Sequence, residues 1–161
     1  MRITKAFLLA EPQKACASQL EAFALTYPDG FEVNRENLAE ALERGFDLSW
    51  VLEFRFAAAW VRFQAALEPA EAAYRAEREV IRAVYAAERA PIMAKYAAGV
   101  AKPAENPDEG TWERLRAELG PVEQANHDRF KVASARYAAV HTEQLILACL
   151  AVAEEESDAN H

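Results

Sequence analysis

Few residues in this 161-residue chain are of a type and spacing that could do chemistry, and the candidates fall into three groups. The histidines are His127, His141 and His161. His127 and His141 stand fourteen positions apart, about 21 Å of rise if they share a helix, too far to hold one metal ion. Glu123 and His127 have the i, i+4 spacing of a carboxylate–imidazole pair, which would set a general base. The pattern supplies neither a nucleophile nor a second ligand beside them. The second group is acidic: Glu105, Asp108 and Glu109, which read as a solvated loop. The third is Trp112 within Asp108-Glu109-Gly110-Thr111-Trp112-Glu113. An aromatic anchor beside carboxylates suits a basic protein surface, because Trp is enriched among residues that dominate interfaces. The competing reading folds Trp112 back on the core.

Other chemistries lack their patterns. HExxH, GxSxG, GxGxxG and GxxxxGK[ST] are all absent from the chain, so no familiar nucleotide, zinc or nucleophile-elbow site is expected. Cys16 and Cys149 lie far apart and form no CxxC; they read as small buried hydrophobes in a reducing compartment. The expectation is a chain without enzymatic activity, cofactor or metal.

Charge narrows the partner classes. The net charge is −8. Residues 1–46 carry 5 basic and 7 acidic groups, 47–102 carry 8 and 7, and 103–161 carry 5 and 12. The acidic last third opposes phosphate-backbone contact and favours either simple solubility or a basic partner. The opening Met1–Glu11 has a basic start but a very short apolar run, less than a secretory leader needs, and no stretch is long and apolar enough to span a membrane. The expected setting is therefore cytoplasmic.

These side chains must be positioned by helices. Hydrophobic residues make up 52% and charged residues 27% of the chain, a globular composition for one helical domain spanning 1–161. An extended piece is predicted over Ile3–Leu9, then a helix from Pro12 to Tyr27. The turn Tyr27-Pro28-Asp29-Gly30 follows, with a brief strand at Phe31–Val33 returning to pair with the N-terminus. Asn34 should cap a helix over Arg35–Arg44, ended by Gly45, completing an N-terminal cap over 1–46.

From Asp47 to Ala98 only Pro69 and Pro91 interrupt a run of helix formers. The expectation is one long Pro-bent helix over 47–98, with Leu48, Trp50, Val51, Phe54 and Trp60 anchoring a core at its start. Residues 99–110 read as a loop. Thr111 should cap a short helix through Leu119, with Trp112 and Leu115 inward, and Gly120-Pro121 should restart the chain into a last helix reaching Glu155. Along that helix Phe130, Ala133, Tyr137, Val140, Leu147 and Ala151 make the inner stripe, and 156–161 form a tail. The fold class is mainly α: a helical bundle or hairpin in which the repeat helix packs against the C-terminal helix, with a minor N-terminal β element.

Within 47–98 lies an 11-residue repeat. Phe63, Tyr74, Tyr85 and Tyr96 mark it, within Tyr74-Arg75-Ala76-Glu77-Arg78 and Tyr85-Ala86-Ala87-Glu88-Arg89. Eleven residues make three helical turns, so the rings form a nearly straight row about 16 Å apart. That row is a packing face, either for the chain's own last helix or for another copy. Arg75, Arg78, Arg82 and Arg89 beside it read as an ion-paired, solvated face.

The repeat, with its Ala90-Pro91 step, resembles the Ala-rich Tyr-x-Ala-x-x-Ala-Pro repeats of small uncharacterised proteins of tailed phages. The stretches Ala15–Phe23 and Phe46–Trp50 are similar to their leading region. The resemblance implies a phage accessory setting, in which small acidic helical proteins often inhibit host defence enzymes, and it carries no catalytic residues.

Three functional expectations follow. The first is an anti-CRISPR-like inhibitor of a host defence nucleoprotein, holding a basic protein partner through Asp108, Glu109, Trp112, Glu113 and Glu118 without touching nucleic acid. The second is an assembly protein that forms homo-oligomers through Phe63, Tyr74, Tyr85 and Tyr96. The third is a small enzyme or ligand-binding protein with an unrecognised site.

Overall fold

A computed structural model describes residues 1–9, 17–99 and 109–159. The element order is β1 (Arg2–Ile3), α1 (Lys5–Leu9), α2 (Ala17–Thr26), β2 (Phe31–Glu32), α3 (Arg35–Glu43), α4 (Ser49–Arg55), α5 (Ala57–Gly99) and α6 (Glu109–Asp158). The fold is mainly α, with two long helices packed together and a two-stranded sheet near the N-terminus. Contacts group the chain into two compact bodies. The first comprises 1–69 with 138–161, and the second is 70–137.

In the first body the strand return predicted from the Tyr27–Gly30 turn is present. Gly30 N–H donates to Tyr27 O at 2.9 Å, and β2 pairs antiparallel with β1, Ile3 facing Phe31. Gly30 sits at φ +72°, and a Cβ there would lie 2.2 Å from the Ile3 carbonyl oxygen, so glycine is required twice over. The predicted extension to Leu9 is replaced by α1, whose start is held by Phe7 N–H donating to Thr4 Oγ1. The predicted start of the next helix at Pro12 lies outside the described residues, which resume at α2.

Both ends of α3 follow their sequence signals. Asn34 is extended and its side-chain oxygen accepts from Asn37 N–H at 2.8 Å. At the other end Phe46 N–H reaches Ala41 O and Gly45 N–H reaches Leu42 O, with Gly45 at φ +82°. That bond pair is the Schellman motif, and it delivers Phe46 to the core as the apolar residue beyond the cap. Phe23, Tyr27, Phe31 and Phe46 then meet ring to ring at 5.1–5.9 Å. Leu38 and Ala41 are fully buried beside Leu48, Val51 and Leu52.

The single helix expected over 47–98 is two. Helix α4 ends at Phe56 (φ −131°, ψ 61°), and α5 restarts at once. No glycine or proline marks the break. Long-range contacts hold it: Arg55 donates to Phe7 O at 3.1 Å and lies 4.1 Å over the Phe7 ring. Leu48 takes the N-cap position of α4, and Asp47 stands one place before it, its carboxylate accepting from both Ser49 N–H and the Ser49 hydroxyl. Of the expected anchors, Leu48 and Val51 are buried and Phe54 is 43% exposed.

Helix α5 continues through Pro69 and Pro91, and α6 continues through Gly120 and Pro121 where a break was expected. The α6 continuity has a packing reason. Leu115, Leu119, Val122 and Asn126 are all half-buried at spacings of four, three and four, so one inward stripe spans the Gly-Pro step. A break there would rotate that stripe out of register. The expected loop over 99–110 is helix at Gly99 and again from Glu109, and 100–108 lie outside the described residues.

The last stretch of α6 belongs to the first body, where Leu145, Ile146, Cys149 and Val152 are buried. The expected Val140 and Leu147 are instead 40% and 42% exposed. Phe63 is buried there, edge-on to His141 at 5.4 Å, and Arg62 pairs with Glu155. In the second body α5 and α6 run antiparallel, as successive cross-helix pairs with falling and rising numbers show: Tyr96 with Glu118, Glu88 with Arg129, Tyr74 with Tyr137. Only Ile81 and Ala133 are fully buried among its described residues.

Candidate partner-binding surface of the helical hairpin

The tyrosine row is occupied within the chain. Tyr74 stacks on Tyr137, centroids 5.0 Å apart and planes 15° apart, and its hydroxyl meets Ser134 Oγ at 3.0 Å. Tyr96 donates to Glu118 Oε1 at 3.0 Å, and Tyr85 is half-buried. Phe63, the first ring of the row, lies in the core of the first body. Burial, helped by the Glu71 carboxylate, raises the Tyr137 phenol above its usual range. Hydrophobic spacing announced this row, and α6 is what it meets.

Beside the rings runs a ladder of cross-helix ion pairs absent from the sequence reading. Arg129 grips Glu88 with both guanidinium nitrogens at 2.8 and 2.9 Å, Arg136 holds Glu77 at 2.9 Å, and Lys95 holds Glu118. The Arg129 hydrogen bonds hold the Glu88 carboxyl below the usual carboxylate range, and the bonds from Lys95 and Tyr96 do the same for Glu118. Partners 23–59 residues apart have no local spacing rule to betray them. Only the alternation of Glu and Arg along both helices hinted at it.

This ladder divides the expected acidic site. Asp108 lies outside the described residues. Glu109, Trp112 and Glu113 come together on the first turn and a half of α6, all exposed, with Trp112 47% accessible. Glu109 stands at i, i+3 to Trp112 on the same helix face, and Glu113, the next residue in sequence, projects about 100° further round the helix. Glu118 does not join them, because Lys95 and Tyr96 take its carboxylate. Leu115 turns inward as expected; Trp112 does not. A shallow hollow next to this turn is lined by Lys95, Tyr96, Thr111, Arg114 and Glu118. Arg114 is tied there to Gly110 O and Thr111 Oγ1.

The remaining candidates gather nothing further. Glu123 and His127 both face solvent. Among the described residues no three His, Cys, Asp or Glu come together as a metal-holding group, and no helix is long and apolar enough to cross a membrane. Cys149 is a buried free thiol whose pKa burial pushes up to about 12; Cys16 lies outside the described residues.

The charge is partitioned between the bodies. The first carries 7 Lys and Arg against 15 Asp and Glu, a net −8, and the second carries 11 against 11, a net of zero. The acidic excess of the last third therefore belongs mainly to 138–161, where five acidic residues have no basic neighbour in sequence.

No family model matches the chain, and no curated protein or solved structure is detectably similar to it.

Proposed function

We propose that this chain is a non-enzymatic binding protein that engages the basic surface of a protein partner through the start of α6. The observation that carries this reading is the exposure of Trp112 together with Glu109 and Glu113 at the start of a helix. An indole left in solvent with carboxylates nearby on the same helical turns supplies a large apolar contact with flanking charge, the composition of an interface anchor. Asp108 precedes them in sequence and adds to the same charge. In the phage setting that the repeat implies, the partner is a host defence nucleoprotein whose nucleic-acid-binding surface the acidic turn occludes. Self-assembly through the tyrosine row is the weaker reading, since those rings already pack on α6.

The test is affinity capture from bacterial lysate at low and high salt, with Trp112→Ala and Glu109→Lys/Glu113→Lys run beside the parent. A nucleic-acid-handling complex held by the parent, inhibited by it, and released by salt and by both variants supports the reading. Capture that survives both variants refutes the α6 turn as the contact.

A further inference from the structure

A second face of the hairpin carries the opposite charge. Arg75, Arg78, Arg82 and Arg89 follow at spacings of three, four and seven, so they line one face of α5 over about 21 Å. That face is distinct from the ion-pair ladder, because Arg78 and Arg89 each stand one residue, about 100°, round the helix from the ladder carboxylates Glu77 and Glu88; Arg78 lies 5.6 Å over the Tyr74 ring. Arg75 and Arg82 hold Glu71 and Glu79 in exposed pairs on their own helix, which are weak. Arg78 and Arg89 form no ion pair with any described residue.

A chain of net −8 is a poor ligand for a phosphate polymer, because most of its surface would repel one. An acidic protein surface is the better match, and this chain displays one. Between Asp29 and Asp47 the first body has six acidic residues and two arginines. Both arginines are engaged, Arg35 with Glu143 and Arg44 with Glu40. Glu36, Glu40 and Glu43 are exposed on one face of α3, and Glu36 and Glu43 are seven residues apart. Arg75 to Arg82 and Arg82 to Arg89 have that same seven-residue pitch, about 10.5 Å along a helix.

We infer that the arginine row of one copy docks the α3 acidic row of a second copy. Because the two patches differ, assembly either closes reciprocally as a dimer or, where a contact leaves one patch free on each copy, continues until a larger ring closes or the chain ends. It is independent of the partner contact proposed at Trp112.

Sedimentation velocity across a concentration series tests it with three proteins. The parent should form salt-sensitive oligomers, its self-association weakening about tenfold or more from low to high ionic strength. Arg82→Glu/Arg89→Glu and Glu36→Lys/Glu43→Lys should each be monomeric, with helical circular dichroism retained. Mixed one to one, they should form a dimer that grows no further, since each supplies the patch the other lacks. A parent that stays monomeric at low salt, or a mixture that gives no dimer, overturns the inference. Bound nucleic acid displaced by Arg82→Glu/Arg89→Glu would overturn it in favour of a polyanion.

Discussion

Replacing Phe23 by Ala should unfold the first body at much lower denaturant. The ring is 2% exposed and touches three others, Tyr27 at 5.3 Å, Phe46 at 5.6 Å and Phe31 at 5.9 Å. Truncation removes the transfer energy of the ring, leaves a cavity among aromatics and breaks three ring pairs, together about 3–5 kcal/mol. Domains of this size hold about 5–15 kcal/mol in total, so the loss is a large share of the whole. With a urea slope of about 2 kcal/mol per molar, the midpoint should fall by roughly 1.5–2.5 M. Trp50 and Trp60, both half-buried in the first body, give the fluorescence signal in a Trp112→Phe background. A loss under about 1 kcal/mol would mean that α2 does not pack against β2 and the α3 end as described, and would refute the aromatic cluster as the anchor of this body.

Three other outcomes follow from the same coordinates. Gly45→Ala should cost about 1–2 kcal/mol, the ordinary penalty of a left-handed alanine, because open space surrounds the new Cβ. Gly30→Ala should cost clearly more, since its Cβ would collide with the Ile3 carbonyl and part β1 from β2; equal losses in urea titrations would contradict this. In a Cys16→Ser background, Cys149 should react with a thiol reagent at pH 8 roughly a thousandfold more slowly than in urea, given its raised pKa; equal rates would place it at the surface. Glu88 and Glu118 have lowered pKa values, so the stability they contribute is fully present above the unfolded carboxylate range and fades as pH falls through their folded values. Acid should therefore loosen the second body, and Glu88→Gln should flatten the pH dependence of its unfolding; an unchanged dependence would show that the ladder does not couple to folding.

Local signals were legible wherever one residue dictates a backbone conformation. Asn34 and Gly45 bounded α3, Gly30 set the strand return, and the aromatic row over α5 pointed to a partner helix. What stayed hidden depends on partners distant in sequence. The α4–α5 break is held by Arg55 on Phe7, 48 residues away. The continuity of α6 across Gly120-Pro121 is held by a stripe on both sides that outweighs two poor helix formers. The drift of the buried stripe from Ala133 to Leu145 and Cys149 reflects a change of neighbours: a single helix face there, a cluster of short helices here. Of the expected acidic group, Glu109, Trp112 and Glu113 stand exposed at the start of α6, as the polar local composition there allows. The loss of Glu118 to Lys95 required the tertiary pairing of two helices.

The thin interior of the hairpin sets how it breathes. With Ile81 and Ala133 its only fully buried described residues, the second body has no central mass to lose all at once. Its cohesion is strung out along the helices, a ring or an ion pair every few turns, each rung meeting only its neighbours. Such a zipper opens in segments, each opening costing much less than global unfolding. Amide hydrogens in the second body should accordingly exchange through many small fluctuations, graded along the helices. Those around Leu38 and Leu52 should wait for a single cooperative event. A protein built this way can yield along one flank to fit a partner while its other body keeps its shape.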